Sequence, residues 1–131
     1  MCIRDSILHI YDRSTNTLRN LRVPTPGDFG WALSEDLVGI AVCEDGTDLN
    51  GNSDTMDEVF HLFDLHTGRG WNSGLARGSF LDRAVASGNL FVFPVSETRQ
   101  VEDLDGSGAV ENRSVLFAVQ PSRPRATQRS L

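Results

Sequence analysis

Oxygen-bearing side chains recur at alternate positions in Asp48-Leu-Asn50-Gly-Asn52-Ser-Asp54-Thr-Met-Asp57, and Gly51 lets the chain wrap tightly there. Consecutive side chains of a tight loop point in different directions, so alternate residues converge on one point. A hard cation such as Ca²⁺ is held by about six to eight oxygens from such side chains and carbonyls. Asp48, Asn50, Asn52, Asp54 and Asp57 are therefore candidate metal ligands. A second run, Asp103-Leu-Asp105-Gly-Ser107-Gly108 followed by Glu111, offers Asp103, Asp105, Ser107 and Glu111 in the same way. Six carboxylates lie between Glu44 and Glu58 and would repel one another without a counterion, which favours a cation in the first loop.

Both runs depart from the calcium loop of the D-x-D-x-D-G type. The first has Ser53 where that glycine belongs, and Val59 where an EF-hand places its bidentate Glu. The second has Gly108 at the sixth place from Asp103, but Ser107 replaces a carboxylate or amide and no Glu stands twelfth. No helix is expected on either side, which argues against an EF-hand. Asp, Asn and Gly are also the commonest turn residues, so a solvated turn joining two antiparallel strands remains the alternative.

Other residues point to architecture. His9 and His61 hold the same place in a repeated strand, and equivalent positions in successive units would not share one metal site; His66 falls in a turn. No Gly-x-Ser-x-Gly or Cys/His arrangement supplies a nucleophile beside a base, so no catalytic residue is assigned. Trp31 and Trp71 are expected to pack between units or cover a strand. Gly68-Arg-Gly70 and Gly106-Ser-Gly108 are too sparse for a phosphate cradle without a following helix. Cys43 is expected to be a small buried hydrophobe, since two cysteines make no disulfide framework.

The elements that must hold these loops repeat at a period of about 53 residues: Ala32 to Glu44 returns as Val85 to Glu97. A second phrase occurs three times, as Asp5 to Asp12, Asp57 to Asp64 and Arg113 to Gln120. Each unit begins with a short apolar stretch, Trp31–Ser34 or Ala84–Ser87, and a two-residue turn, Glu35-Asp36 or Gly88-Asn89. A strand rich in Val, Ile and Phe follows, Leu37–Cys43 or Leu90–Ser96, and then the acidic loop. The third strand is Val59–Phe63, Val115–Val119 or Ile7–Tyr11; a weaker fourth is Leu18–Val23 or Trp71–Leu75. No segment keeps a 3.6-residue apolar period, so no long helix is expected. Four short strands per unit predict an all-β chain, a fragment of a β-propeller with four-stranded antiparallel blades. Residues 7–30 would end one blade, 31–80 form a complete blade, and 81–120 most of a further one. Residues 121–131, with two prolines and three arginines, are expected to be disordered.

Composition narrows the partners. A net charge of −6 argues against a nucleic-acid backbone, and no apolar run is long enough for membrane insertion. Every basic residue other than histidine is arginine; these are scattered and form no patch, which fits codon bias from a GC-rich genome. Met1-Cys2-Ile3-Arg4-Asp5 reads back through the genetic code as ATG-TGT-ATA-AGA-GAC, and Ser6 can begin AG. That resembles the transposon end used to tag DNA libraries, so residues 1–6 are expected to be non-native and the native chain to extend upstream.

The phrase Thr47 to Gly68 resembles the repeat of TolB-like and other secreted bacterial propellers, in which an Asp/Asn/Gly-rich loop precedes a strand ending in Tyr-Asp or Phe-Asp and a Thr-Gly turn. It is also similar to the calcium loops of integrin-type propellers, which sit between different strands of the blade. The resemblance implies the propeller fold, a structural Ca²⁺ and a periplasmic or extracellular setting. The function it suggests is a non-enzymatic binding or scaffold module, with a protein or glycan ligand and other blades of the same parent chain as partners. Propellers also host enzymes, so a hydrolase or lyase whose catalytic residues lie outside this chain is the alternative.

Overall fold

The computed structural model of the chain describes residues 6–25, 30–79 and 83–120, together with the backbone of Arg129–Ser130. It is an all-β arrangement of antiparallel sheets. Strands β1 (Ser6–Asp12) and β2 (Thr17–Thr25) form a hairpin. Strands β3 (Trp31–Leu33), β4 (Leu37–Cys43), β5 (Glu58–Asp64) and β6 (Gly70–Ala76) pair in chain order as a four-stranded meander. The second meander holds β7 (Val85–Ser87), β8 (Leu90–Ser96), β9 (Ser114–Val119) and β10 (Arg129–Ser130). A single turn of helix, α1 (Glu97–Gln100), follows β8 and is capped by the Ser96 side chain. No helix among the described residues is long and apolar enough to cross a membrane.

The repeat read in the sequence is thus a repeat of sheets. Leu37 pairs with Asp64 and Cys43 with Glu58 in the first meander, while Phe91 pairs with Val119 and Ser96 with Ser114 in the second. Both hairpin turns are linked through Ser34. Its hydroxyl accepts from the backbone N–H groups of Asp36 and Leu37, and donates to the carbonyl of Gly88 at 2.6 Å. Gly88 itself takes the left-handed conformation that the tight turn requires, at φ 53°.

Every residue of β4 is buried because both faces of its sheet are covered. On one face Leu37, Ala41, Phe60 and Leu62 meet Phe91, Phe93 and Val95 of the second meander. On the other, Ile40 and Val42 meet Val23 of the first hairpin, with Leu8 and Leu21 beside them. The rings of Phe60, Phe91 and Phe93 pack with centroids 4.5–5.4 Å apart. Full burial of each such side chain stabilises by about 2–3 kcal/mol. Gly39 permits the approach: a Cβ on residue 39 would collide with the Phe91 ring.

Three expectations change. Trp31 is 55% exposed: paired with Ile40 at the start of the three-residue strand β3, it lines an open cleft against β1 and is not enclosed. Cys43 is buried as expected but disulfide-bonded, its partner lying outside the described residues. Disorder throughout 121–131 does not hold at Arg129–Ser130, whose backbone supplies β9 with an outer neighbour through Arg129↔Ala118 and Ser130↔Phe117. Residues 1–5, and the remainder of that tail, lie outside the described residues.

Candidate cation-binding loops

Each loop is organised by a buried glutamate that follows the second strand of its unit. Glu44 Oε1 accepts from the backbone N–H groups of Leu49 and Asn50, and its Oε2 from that of Asp57. Glu97 repeats the arrangement: Oε1 accepts from Leu104 and Asp105, Oε2 from Glu111. The two side chains belong to residues 2% and 0% exposed. A carboxylate taken out of water must be satisfied by charge-assisted hydrogen bonds, and the loop backbone provides them. The loop therefore closes around its glutamate.

The aspartates and asparagines then shape the loop through successive local hydrogen bonds. Asp48 accepts from the N–H groups of Gly51 and Ser53, Asn50 Oδ1 from Asn52, Asn52 Oδ1 from Asp54, and Asp54 Oδ1 from Met56. In the second loop Asp103 accepts from Gly106, Ser107 and Gly108, while Asp105 accepts from Ser107. These N–H donors hold the Asp48 and Asp105 carboxyls below the usual carboxylate range, chiefly through Ser53 and Ser107 respectively. The turn chemistry weighed from sequence is present in both loops.

In the first loop, one carboxylate oxygen from each of Glu44, Asp54 and Asp57 lies within 4.8 Å of the others. Burial, followed by the nearby charges of Asp54 and Glu44, pushes the Asp57 carboxyl up despite the Asn50 hydrogen bond that lowers it. The side-chain amides of Asn50 and Asn52 reach Asp57 Oδ2 at 3.2 and 2.8 Å, and that of Asn52 also reaches Asp54 Oδ2 at 3.0 Å. No described guanidinium lies within ion-pairing distance of Glu44, Asp54 or Asp57, although the nearby Arg99 charge also lowers the Asp57 carboxyl. The three carboxylates offer oxygens of the kind a hard cation takes, while the two amides turn their N–H donors toward Asp54 and Asp57 and their oxygens toward the loop backbone.

The second loop brings Glu97, Asp103 and Asp105 together within the same 4.8 Å. Its charge has a resident partner. Arg113 Nη1 lies 2.6 Å from Asp105 Oδ2, its Nε lies 3.8 Å from Glu97 Oε2, and its Nη2 pairs with Glu111. An arginine stands beside these acids where a metal would otherwise balance them.

Of the residues read as ligands, Asp54 and Asp57 converge in the first loop, with Asn50 and Asn52 as their hydrogen-bonding neighbours. Asp48 lies outside that carboxylate group and holds the turn. In the second loop Asp103 and Asp105 converge; the Ser107 hydroxyl bonds the Ala109 carbonyl, and the Glu111 carboxylate goes to Arg113. Glu44 and Glu97 were not read as ligands. Their signal was available, since both close the repeated phrase that ends at Glu44 and at Glu97. The first loop also meets the next unit: Asn50 Nδ2 and Asn52 Nδ2 donate to the Arg99 carbonyl, and Gln100 Nε2 donates to the Asn50 carbonyl at 3.2 Å. Comparison with protein-family models, curated proteins and solved structures finds no match to the chain.

Proposed function

We propose that the chain is part of an exported β-propeller acting as a non-enzymatic binding or scaffold module, in which Ca²⁺ stiffens the acidic loop between the second and third strands of a blade. The observation that carries this reading is the convergence of Glu44, Asp54 and Asp57, which the Arg99 charge reaches only through Asp57 and which lacks an arginine seated among the acids as Arg113 is in the second loop. Two successive four-stranded meanders, with the short first strands β3 and β7 side by side, support the propeller arrangement. Because Asn50 and Asn52 touch α1 of the next unit, an ion in this loop would fix two blades against each other as well as one connection. A loop held in this way presents a rigid rim to a protein or glycan. Calcium sites of extracellular modules work at dissociation constants of about 10⁻⁴–10⁻³ M, which suits the periplasm or the extracellular space.

Calorimetric titration of the chain with Ca²⁺ tests this, with Asp54→Asn beside it. The expected result is one saturable site that Asp54→Asn weakens at least tenfold, the change retaining side-chain size while removing a charge. Absence of binding heat at millimolar Ca²⁺ in a folded sample would reduce the loop to a hydrogen-bonded turn.

A further inference from the structure

Where the first meander passes to the second, the two are tied twice: the Arg77 backbone pairs with Val95, and the Gly78 N–H donates to the Pro94 carbonyl at 2.9 Å. Beside this seam a cleft of about 540 Å³ opens between the end of β6, the helical turn α1 and the start of β9. No aliphatic or aromatic side chain is among its described lining residues. Its polar groups hold donors in excess. Arg99 Nη1 donates to the Arg77 carbonyl at 3.4 Å, and the rest of that guanidinium meets no acceptor among the described residues. The Asn112 amide and the Ser114 hydroxyl have no hydrogen-bond partner among them either. Ser96 and Thr98 share one hydrogen bond between two hydroxyls at 3.0 Å, so one O–H remains to donate. Arg113, the other cation of the cleft, is already engaged by Asp105, Glu97 and Glu111. A Cβ on residue 78 would collide with Ser114 Oγ, so glycine keeps this wall open.

We infer that this cleft binds an acidic sugar, a uronate, whose carboxylate is taken by the Arg99 guanidinium. The inference deepens the binding-module reading above, and rests on it, by naming a ligand class and a place. A lining with donors to spare is complementary to a ligand rich in acceptors. The planar guanidinium of Arg99 matches a carboxylate through two parallel hydrogen bonds. Charge selects a monoanion. Arg113 is balanced by three acids, which leaves Arg99 as the one guanidinium of the cleft without a carboxylate partner among the described residues. A dianionic phosphate would face Asp105, Glu97 and Glu111 with that single positive charge to offset them, in a chain of net charge −6. The sugar follows from the remaining groups. Ser96, Thr98, Ser114 and Asn112 offer hydroxyls and an amide, which donate and accept as ring hydroxyls do. A peptide bound by its C-terminal carboxylate would require an aliphatic wall for its last side chain, and the described lining has none. Because Arg77 and Gly78 are fastened to Val95 and Pro94, the walls are set before the ligand arrives.

The test is a titration of the full chain with methyl glucuronoside, in EDTA so that no cation contributes, followed by nitrogen–proton correlation NMR. Methyl glucoside, which lacks the carboxylate, and the methyl ester of the uronate are titrated beside it. The expected result is saturable one-to-one binding with shifts at Thr98, Arg99, Asn112 and Ser114, weakened about tenfold in the ester and in Arg99→Gln. Arg99→Lys, which keeps the charge and loses the fork, is expected to fall between the parent and Arg99→Gln. Asn112→Ala removes an exposed side chain that has no partner to lose, and should weaken binding about fivefold without touching the fold. Equal affinity for the ester or the glucoside, unchanged affinity in Arg99→Gln, shifts confined to other residues, or no saturation would overturn the inference. So would tighter binding of inorganic phosphate, or of a peptide through its C-terminal carboxylate. Because the experiment needs no Ca²⁺, its failure beside a positive calcium titration would remove this site and leave the loop reading standing.

Discussion

Ser53 stands at φ 76°, and the residue in the same place of the second loop is Gly108 at φ 90°. The left-handed region costs an L-residue roughly 1–2 kcal/mol through its Cβ, a cost glycine escapes. Ser53 tolerates it because its N–H is held by Asp48 Oδ2 at 2.9 Å. Ser53→Gly should therefore stabilise the chain by about 1 kcal/mol, less than the full strain because glycine also gains freedom when unfolded; urea unfolding of the two proteins measures it. An equal or lower midpoint would mean that the turn carries no strain at this residue. The departure from the glycine pattern was visible in the sequence as Ser53 itself. The roles of Glu44 and Glu97 were less legible, since a glutamate's function there depends on which backbone N–H groups the folded loop turns toward it.

Strand β5 carries His61 between Ile40 of β4 and Asn72 of β6, and the imidazole Nε2 has no hydrogen-bond partner there. Burial pushes this histidine below its ordinary value, because the charged form would be stripped of water. Well above its ordinary value of 6.5 it is uncharged in both folded and unfolded chains and contributes no pH dependence. As pH falls through about 6.5 the unfolded chain takes up the proton first, so folding stability drops. His66 acts in the opposite sense, being raised by its hydrogen bond to Asp36. Comparison with His61→Leu isolates the buried group: the parent should lose stability between pH 7 and pH 5, and the variant should lose less. Identical pH profiles would contradict the assignment. Strand positions were readable wherever composition and burial agree, as in Leu37–Cys43 and Leu90–Ser96, whose bounds match β4 and β8. They were not readable at Arg129–Ser130, where pairing comes from the neighbouring strand β9 and leaves no apolar pattern in the residues themselves. The exposure of Trp31 was also hidden, because an indole at the start of a three-residue strand has the composition of a core residue.

At the scale of the molecule, the first meander is clamped between a hairpin and a second meander, and the acidic loop 44–57 lies against the helical turn that opens the next loop. Its carboxylates add to a net charge of −6. Repulsion among Glu44, Asp54 and Asp57 opposes folding, and a bound cation would relieve it while tying the two units through Asn50, Asn52 and Arg99. A ligand that binds only the folded state stabilises it by about 2.7 kcal/mol at a hundredfold excess over its dissociation constant. The most direct test of the account is the thermal unfolding midpoint of the chain at neutral pH, in EDTA and in rising Ca²⁺. A midpoint that climbs with Ca²⁺ concentration, and whose climb is abolished by Asp54→Asn, is the result the account predicts. A midpoint that stays the same from EDTA to millimolar Ca²⁺ would contradict it.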